Sequence, residues 1–256
     1  MNLLQDLFIN FCTVLRVNLL AIAYKGIGIA PRYHDLNEVF FKKVLPRYLK
    51  NTKEFVFFDV GANMGKVTEQ MLQSFPGVQV HSFEPNPYTF NQLKKTINDK
   101  RATLNNVGLS HSEVDSKIYY YEKDQTTGHA SMFKDVFDLH GSSSLDESLI
   151  RLTTLDHYCN RKKINHIDFL KIDTEGNDFF VLKGASHLIS SRKIDVIQFE
   201  FNEMNIVSRV FLKDFYDLLK DFDLYRIKDD KLFSLGEYSS SNEIFKLQNL
   251  LAIRKK

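Results

Sequence analysis

Residues 55–66 constrain this chain more than any other stretch. Phe55-Val56-Phe57-Phe58-Asp59-Val60 is a nearly unbroken apolar run of aromatic and β-branched residues, which predicts a strand buried on both faces. The run breaks at Gly61, passes Asn63 and Gly65, and continues as Val67-Thr68-Glu69-Gln70-Met71-Leu72, a helical pattern. A buried strand, a tight glycine turn and a helix opening make the first βα unit of a nucleotide-binding α/β sheet. Gly61 lets the backbone turn sharply and approach a ligand with no Cβ in the way. Asn63 is among the few non-glycine residues that tolerate the left-handed region such turns need.

The turn reads Asp59-x-Gly61-x-Asn63-x-Gly65. It lacks the G-x-G-x-x-G of a dinucleotide site and the Lys-Ser or Lys-Thr that ends a phosphate-binding loop. Downstream, Val78-Gln79-Val80-His81-Ser82-Phe83 alternates as a second strand and closes on Glu84-Pro85-Asn86-Pro87. An acid about twenty residues past the glycine turn is where such folds hold a ribose through its hydroxyls. Tyr88 to Asn98 resumes as a helix, and Ala102 to Asn106 is a short third strand.

Ile167-Asp168-Phe169-Leu170-Lys171-Ile172 repeats the buried-strand pattern and ends in Asp173-Thr174-Glu175-Gly176, with a helix predicted over Phe179 to Leu188. Ile194 to Phe201 does so again, ending near Glu200. Three strands therefore deliver acids to the carboxyl edge of one sheet, where open α/β folds bind ligands. A helix from Leu212 to Asp221 and strands around Leu224 to Ile227 and Leu250 to Ile253 complete the pattern. Lys117 to Glu122 predicts an inserted strand. The polar segments Thr126 to Met132 and Gly141 to Ser144 predict a lid or acceptor-binding loop carrying His129.

At 256 residues, 43% hydrophobic and 26% charged, the chain suits one soluble α/β domain over 51–256 with an extension over 1–50. A net charge of +2 without a basic stripe gives no reason to expect nucleic acid as partner. Cys12 and Cys159 lack metal-ligand spacing and predict reduced thiols in a cytoplasmic compartment. The first 25 residues follow helical spacing, but Asp6, Arg16 and Lys25 cut the apolar runs well short of the ~20 residues of a membrane span. No basic segment precedes the apolar part, so a signal peptide is not expected. Of packing on the main domain, capping a dimer and lying on a membrane, the spacing is read as the first. Glu38 to Leu49 predicts a further helix.

Taken together, these motifs resemble the FkbM family of S-adenosylmethionine (SAM)-dependent methyltransferases over residues 52–205. The resemblance rests on Asp59-Val60-Gly61-Ala62-Asn63-Met64-Gly65, Phe83-Glu84-Pro85-Asn86-Pro87, Asn106-Val107-Gly108-Leu109-Ser110, Thr154-Leu155-Asp156 and Leu170 to Gly176. Leu182-Lys183-Gly184-Ala185 and Phe199-Glu200 match as well. Asn177-Asp178 departs from the family's usual small or aromatic residue followed by Glu. The resemblance implies a Rossmann-like class I methyltransferase fold, a mostly parallel seven-stranded sheet with helices on both faces. It also implies methylation of hydroxyls, often on sugars or natural products. SAM is then expected against Asp59, Gly61, Asn63, Gly65, Glu84, Asn106 and Asp173.

A neutral hydroxyl needs a base or a metal to become a nucleophile. Asp173 and Glu175 are the leading candidates, with Glu200 in the same cleft and His129 as a second type of base. The rival roles are Asp173 orienting the cofactor and Glu175 favouring a helix N-terminus. The acids also permit a divalent cation, which no spacing in the sequence fixes. A nucleotide-cofactor oxidoreductase and a non-catalytic binding protein are the other classes. The missing glycine of the dinucleotide fingerprint opposes the first, and acids at three strand ends oppose the second.

Overall fold

The structure, a computed structural model, describes residues 3–29, 39–123, 125, 130–141 and 144–256. Two helices come first, α1 (Leu3–Val14) and α2 (Leu19–Gly26). The single apolar pattern breaks between them at Arg16, whose φ is +53°, and the Asn18 side chain accepts the Ala21 N–H to cap α2. No single helix among the described residues is long and apolar enough to cross a membrane. Where the sequence predicts a helix up to Leu49, the described part is a π turn (Phe40–Val44) followed by a 3-10 turn (Leu45–Arg47). Pro46 has no N–H to continue an α ladder there.

The main sheet has β1 (Phe55–Val60), β2 (Val78–Phe83) and β3 (Ala102–Asn105), with α3 (Lys66–Ser74) and α4 (Pro87–Thr96) between them. A small sheet follows, made of β4 (Gly108–Leu109), β5 (Val114–Tyr121) and β6 (Leu145–Thr153). The chain then returns through α5 (Leu155–Lys162) to β7 (Ile167–Ile172). The helix predicted next is two short ones, α6 (Asp178–Lys183) and α7 (Ser186–Ser190), leading to β8 (Ile194–Phe201). After α8 (Met204–Ser208) and α9 (Leu212–Leu218) come β9 (Phe222–Lys228), β10 (Lys231–Ser234) and β11 (Gln248–Arg254).

The main sheet runs β10-β9-β11-β8-β7-β1-β2-β3. Its β3-β2-β1-β7-β8 block is parallel, and β11 lies antiparallel between β8 and β9. The sheet therefore has the expected mostly parallel form, with β10 hairpinned onto β9 as an eighth strand. Alternation along β1 explains its double burial. Phe55 and Phe57 enter the cluster holding Phe169, Met71, Phe40 and Phe41 on one face. Phe58 and Val60 enter the cluster holding Leu170, Tyr158 and Phe199 on the other. The stacked Phe57 and Phe169 rings, 5.1 Å apart, bind β1 to β7. Order reverses at this β1–β7 pair, so a crevice opens at the carboxyl ends of β1, β2 and β7.

Candidate active site

The crevice floor is the turn after β1. Gly61 has φ +81°, and a Cβ there would lie 1.8 Å from the Asp173 carbonyl oxygen, so only glycine lets the two strand ends meet. The Gly61 and Ala62 N–H groups both donate to Phe83 O, at 3.0 and 2.9 Å, which draws in the end of β2. Asn63 adopts φ +50°, in the left-handed region. Its N–H then donates to Glu84 Oε2 at 2.9 Å, while the Asn86 N–H donates to Glu84 Oε1 at 2.9 Å. Glu84 is buried, and desolvation outweighs these two bonds to push its carboxyl up to about 7. Each of its oxygens keeps a second lone pair for a further donor.

Opposite stands the turn after β7. Lys171, unusual in an otherwise apolar strand, is 4% exposed, and its Nζ lies 2.9 Å from Asp173 Oδ2. Burial opposes its charge, but the carboxylates of Asp173, Asp59 and Glu200 outweigh burial and raise its pKa. Glu175 follows at φ +52°, and its carbonyl accepts the Ser131 hydroxyl at 2.8 Å. Asp178 secures the turn: one oxygen accepts the Thr174 N–H and hydroxyl, the other the Glu200 N–H. Burial, then the nearby Asp173, pushes the Asp178 carboxyl up to about 6. The Glu200 carboxyl is raised well above its ordinary value by burial and by Asp173, Glu175 and Asp178, with Lys171 opposing. Several acids thus share one buried cation, an arrangement that favours taking up a proton.

A cavity of about 340 Å³ lies between the two turns. Gly61, Asn63, Glu84, Lys171, Asp173 and Glu175 line it. The small sheet supplies an apolar side through Leu109, Ile118 and Leu152, joined by Ala130 and Met132. The volume is that of a small-molecule or cofactor pocket. Two buried oxygens of lining residues, Thr89 Oγ1 and Asn63 Oδ1, have no hydrogen-bond partner.

Four residues that the sequence places at the site do not line this cavity. Asp59 is fully buried beneath the floor, where Oδ2 accepts the Thr68 hydroxyl at 2.7 Å and burial raises its carboxyl against Lys171. Gly65 faces Leu93 of α4 and Ile97 just past its end. Asn106 donates from Nδ2 to the Glu84 and Pro85 carbonyls, fixing the backbone that carries the Glu84 side chain. Glu200 adjoins Asp173 electrostatically from β8. His129 lies outside the described residues.

Sequence reasoning missed Lys171, Thr89, Asn177 and the apolar side. Lys171 had a readable signal, a lone charge inside a buried-strand run. Asn177, buried, donates from Nδ2 to Leu109 O at 2.9 Å and so joins the second turn to the small sheet. Among the described residues, one set of three potential metal-ligand atoms converges within 4.8 Å: His166, Asp168 and Asp195. It stands at the amino ends of β7 and β8, away from the cavity, and Lys50 is already bonded to Asp195.

A parallel sheet reversing at its central pair, an antiparallel strand inserted before the last crossover strand, and a glycine turn under the cavity define a class I methyltransferase fold. The sequence profile described as Methyltransferase FkbM domain matches residues 59–223, and the chain belongs to that family. The solved FkbM methyltransferase of Methylobacillus flagellatus KT superposes with a TM-score of 0.51 at 16% identity. That match covers 86% of this chain and 49% of the other, so this chain spans about half the length of that relative. Precorrin-6y C5,15-methyltransferase from Geobacter metallireducens GS-15 matches at TM-score 0.41 and 11% identity, over 82% and 86% of the two chains. The plantazolicin methyltransferase BpumL in complex with SAH matches at 0.45 and 12%, over 86% and 83%. No curated protein matches this chain.

Proposed function

We propose that this FkbM methyltransferase uses SAM to methylate a hydroxyl of a sugar, glycan or small natural product. One observation carries this: the glycine turn and Glu84 share a single cavity with Asp173 and Glu175. The donor set suits SAM. Glu84 offers lone pairs to the ribose hydroxyls, and Thr89 Oγ1 and Asn63 Oδ1 are buried polar atoms that lack a partner. Leu109, Ile118 and Leu152 suit an adenine ring, and Gly61 leaves room for close backbone approach. When bound, SAM supplies an electrophilic methyl group on sulfur.

The chain's own work is to orient the acceptor and to take its proton. Asp173 is held by Lys171, which suits a group that positions; Glu175, from a left-handed turn on the same wall, reaches the same space. Either acid would take the hydroxyl proton as the acceptor oxygen gained the methyl carbon and the C–S bond broke, leaving S-adenosylhomocysteine. Glu200, raised well above its ordinary value, then stores or relays a proton behind Asp173. His129 and a divalent cation remain the alternative means of deprotonation, and chelation separates the latter. Cys12 and Cys159, buried and unpaired, support a reducing, cytoplasmic compartment.

Incubating the protein with methyl-labelled SAM and fractionated glycans and small metabolites tests the proposal. Label recovered as an O-methyl ether supports it. Label on nitrogen or carbon sinks the hydroxyl assignment, and failure of the protein to retain SAM sinks the cofactor.

A further inference from the structure

The helical spacing of α1 marks Leu4, Leu7, Phe8, Phe11 and Val14 as one stripe, which Leu15 just past the helix extends. The sequence reading packs that stripe on the main domain, and the structure leaves it outside. The six side chains are from 57% to 81% exposed, and Leu20 and Ile22 of α2 are exposed as well. Among the described side chains of α1 only Cys12 is buried, and α2 has no buried residue. The attachment to the main sheet begins at the last residue of α2, through a bond from Lys228 Nζ to Gly26 O at 3.0 Å and through buried Ile29.

We propose that α1 and α2 lie in the headgroup region of an anionic lipid bilayer, with the stripe in the acyl boundary. Length and bend favour a surface position over a span. Leu7–Val14 and Leu19–Gly26 together have the length and hydropathy of a span but are bent by 113°. At 12 residues α1 reaches only about 18 Å, against a hydrocarbon core of about 30 Å. Charge selects the occupant. Residues 3–53 carry eight Lys and Arg against three acids, Asp6, Asp35 and Glu38, and Lys42, Lys43, Arg47 and Lys53 among them are exposed. Anionic headgroups complement this net positive charge, whereas a second copy would meet it with the same charges.

The chain contains no tryptophan, so Leu7→Trp creates a single reporter in an otherwise native protein. We expect its emission to shift to the blue on phosphatidylcholine–phosphatidylserine vesicles and to be quenched when the acyl chains carry bromine. The full chain should float with these vesicles, and Phe8→Asp combined with Phe11→Asp should lower the partition coefficient by about 100-fold or more. Both positions are exposed, so circular dichroism and the unfolding midpoint should be unchanged. If that double variant misfolds, the Leu7→Trp quenching decides alone. Absent quenching, or equal binding to phosphatidylcholine alone, overturns the proposal. So does a blue shift complete without vesicles, the mark of a second copy on the stripe.

Discussion

If Glu84 holds the cofactor ribose as proposed, affinity for SAM depends on pH in a way that the surroundings of Glu84 set. In the ligand-free protein its carboxyl is pushed up to about 7 by burial, against the N–H groups of Asn86 and Asn63. Ribose hydroxyls donating to the carboxylate would favour the charged form, so below pH 7 the group would have to release a proton to bind. Affinity for SAM should be flat above pH 7 and fall about tenfold per unit below it. If the bound carboxylate stays ionised over this range, the loss from pH 8 to pH 5 is about 100-fold at most, or ~2.7 kcal/mol. Stability of the empty protein runs the other way. A carboxyl raised in the folded state stabilises fully below its unfolded value of 4.5, and this contribution disappears as pH rises through 7. Glu84 alone makes that difference about 3 kcal/mol. Titration calorimetry in two buffers of different ionisation enthalpy reads both affinity and the proton released. Glu84→Gln should abolish the slope, and it loses one backbone bond because an amide nitrogen must face a backbone N–H. Affinity independent of pH, or a slope that survives in Glu84→Gln, refutes the ribose assignment.

Asp173→Asn and Glu175→Gln preserve volume, and the one that serves as base should lose roughly 10²–10⁴ in single-turnover rate at saturating SAM. If Asp173 instead positions the cofactor, its variant should raise the SAM dissociation constant and leave that rate nearly intact; full activity in EDTA removes the cation from the mechanism. Gly61→Ala should fail to fold or lose more than ~3 kcal/mol in denaturant titration, since the methyl would meet the Asp173 carbonyl. Near-wild-type stability there would mean that β1 and β7 do not converge as described. Lys171→Met leaves its neighbouring carboxylates without their cation and should cost about 3–5 kcal/mol at pH 7, and less as pH falls and the buried acids raised around it, Asp59 and Glu200, take up protons. A loss that does not shrink on acidification, followed by thermal melts, would count against the shared-charge account.

The legible parts of this fold are those whose burial is two-sided or whose turn chemistry is strict. β1, β7 and β8 fall where their apolar runs predict, because a strand buried on both faces leaves little room for any other pattern, and β2 falls where its alternation predicts. The left-handed conformation of Asn63 follows from its place between two turn glycines. β6 was illegible. One of its faces carries Asp146, Ser148, Ile150 and Leu152, only half of it apolar, and Leu149 on the other is 79% exposed. Its register is fixed by pairing with β5 and by the Tyr120–Ser148 hydroxyl contact, neither of which is local in sequence. The same reason hides the apolar side of the cavity, since Ile118 and Leu152 reach it only once that sheet has formed. At the site, strand-end position puts Glu84, Asp173 and Glu175 on one cavity, but position alone does not tell the wall from what stands behind it. Asp59 ends a strand too, yet it turns toward Thr68 and Lys171 under the floor.

The central claim is that one cavity holds the methyl donor against Glu84 and presents its sulfur to the acids after β7. A crystal structure grown with S-adenosylhomocysteine tests this most directly. The account predicts the ribose hydroxyls on Glu84, the adenine against Leu109, Ile118 and Leu152, and the sulfur facing Asp173 and Glu175. A ligand bound elsewhere, or one whose sulfur is turned away from both acids, would contradict it.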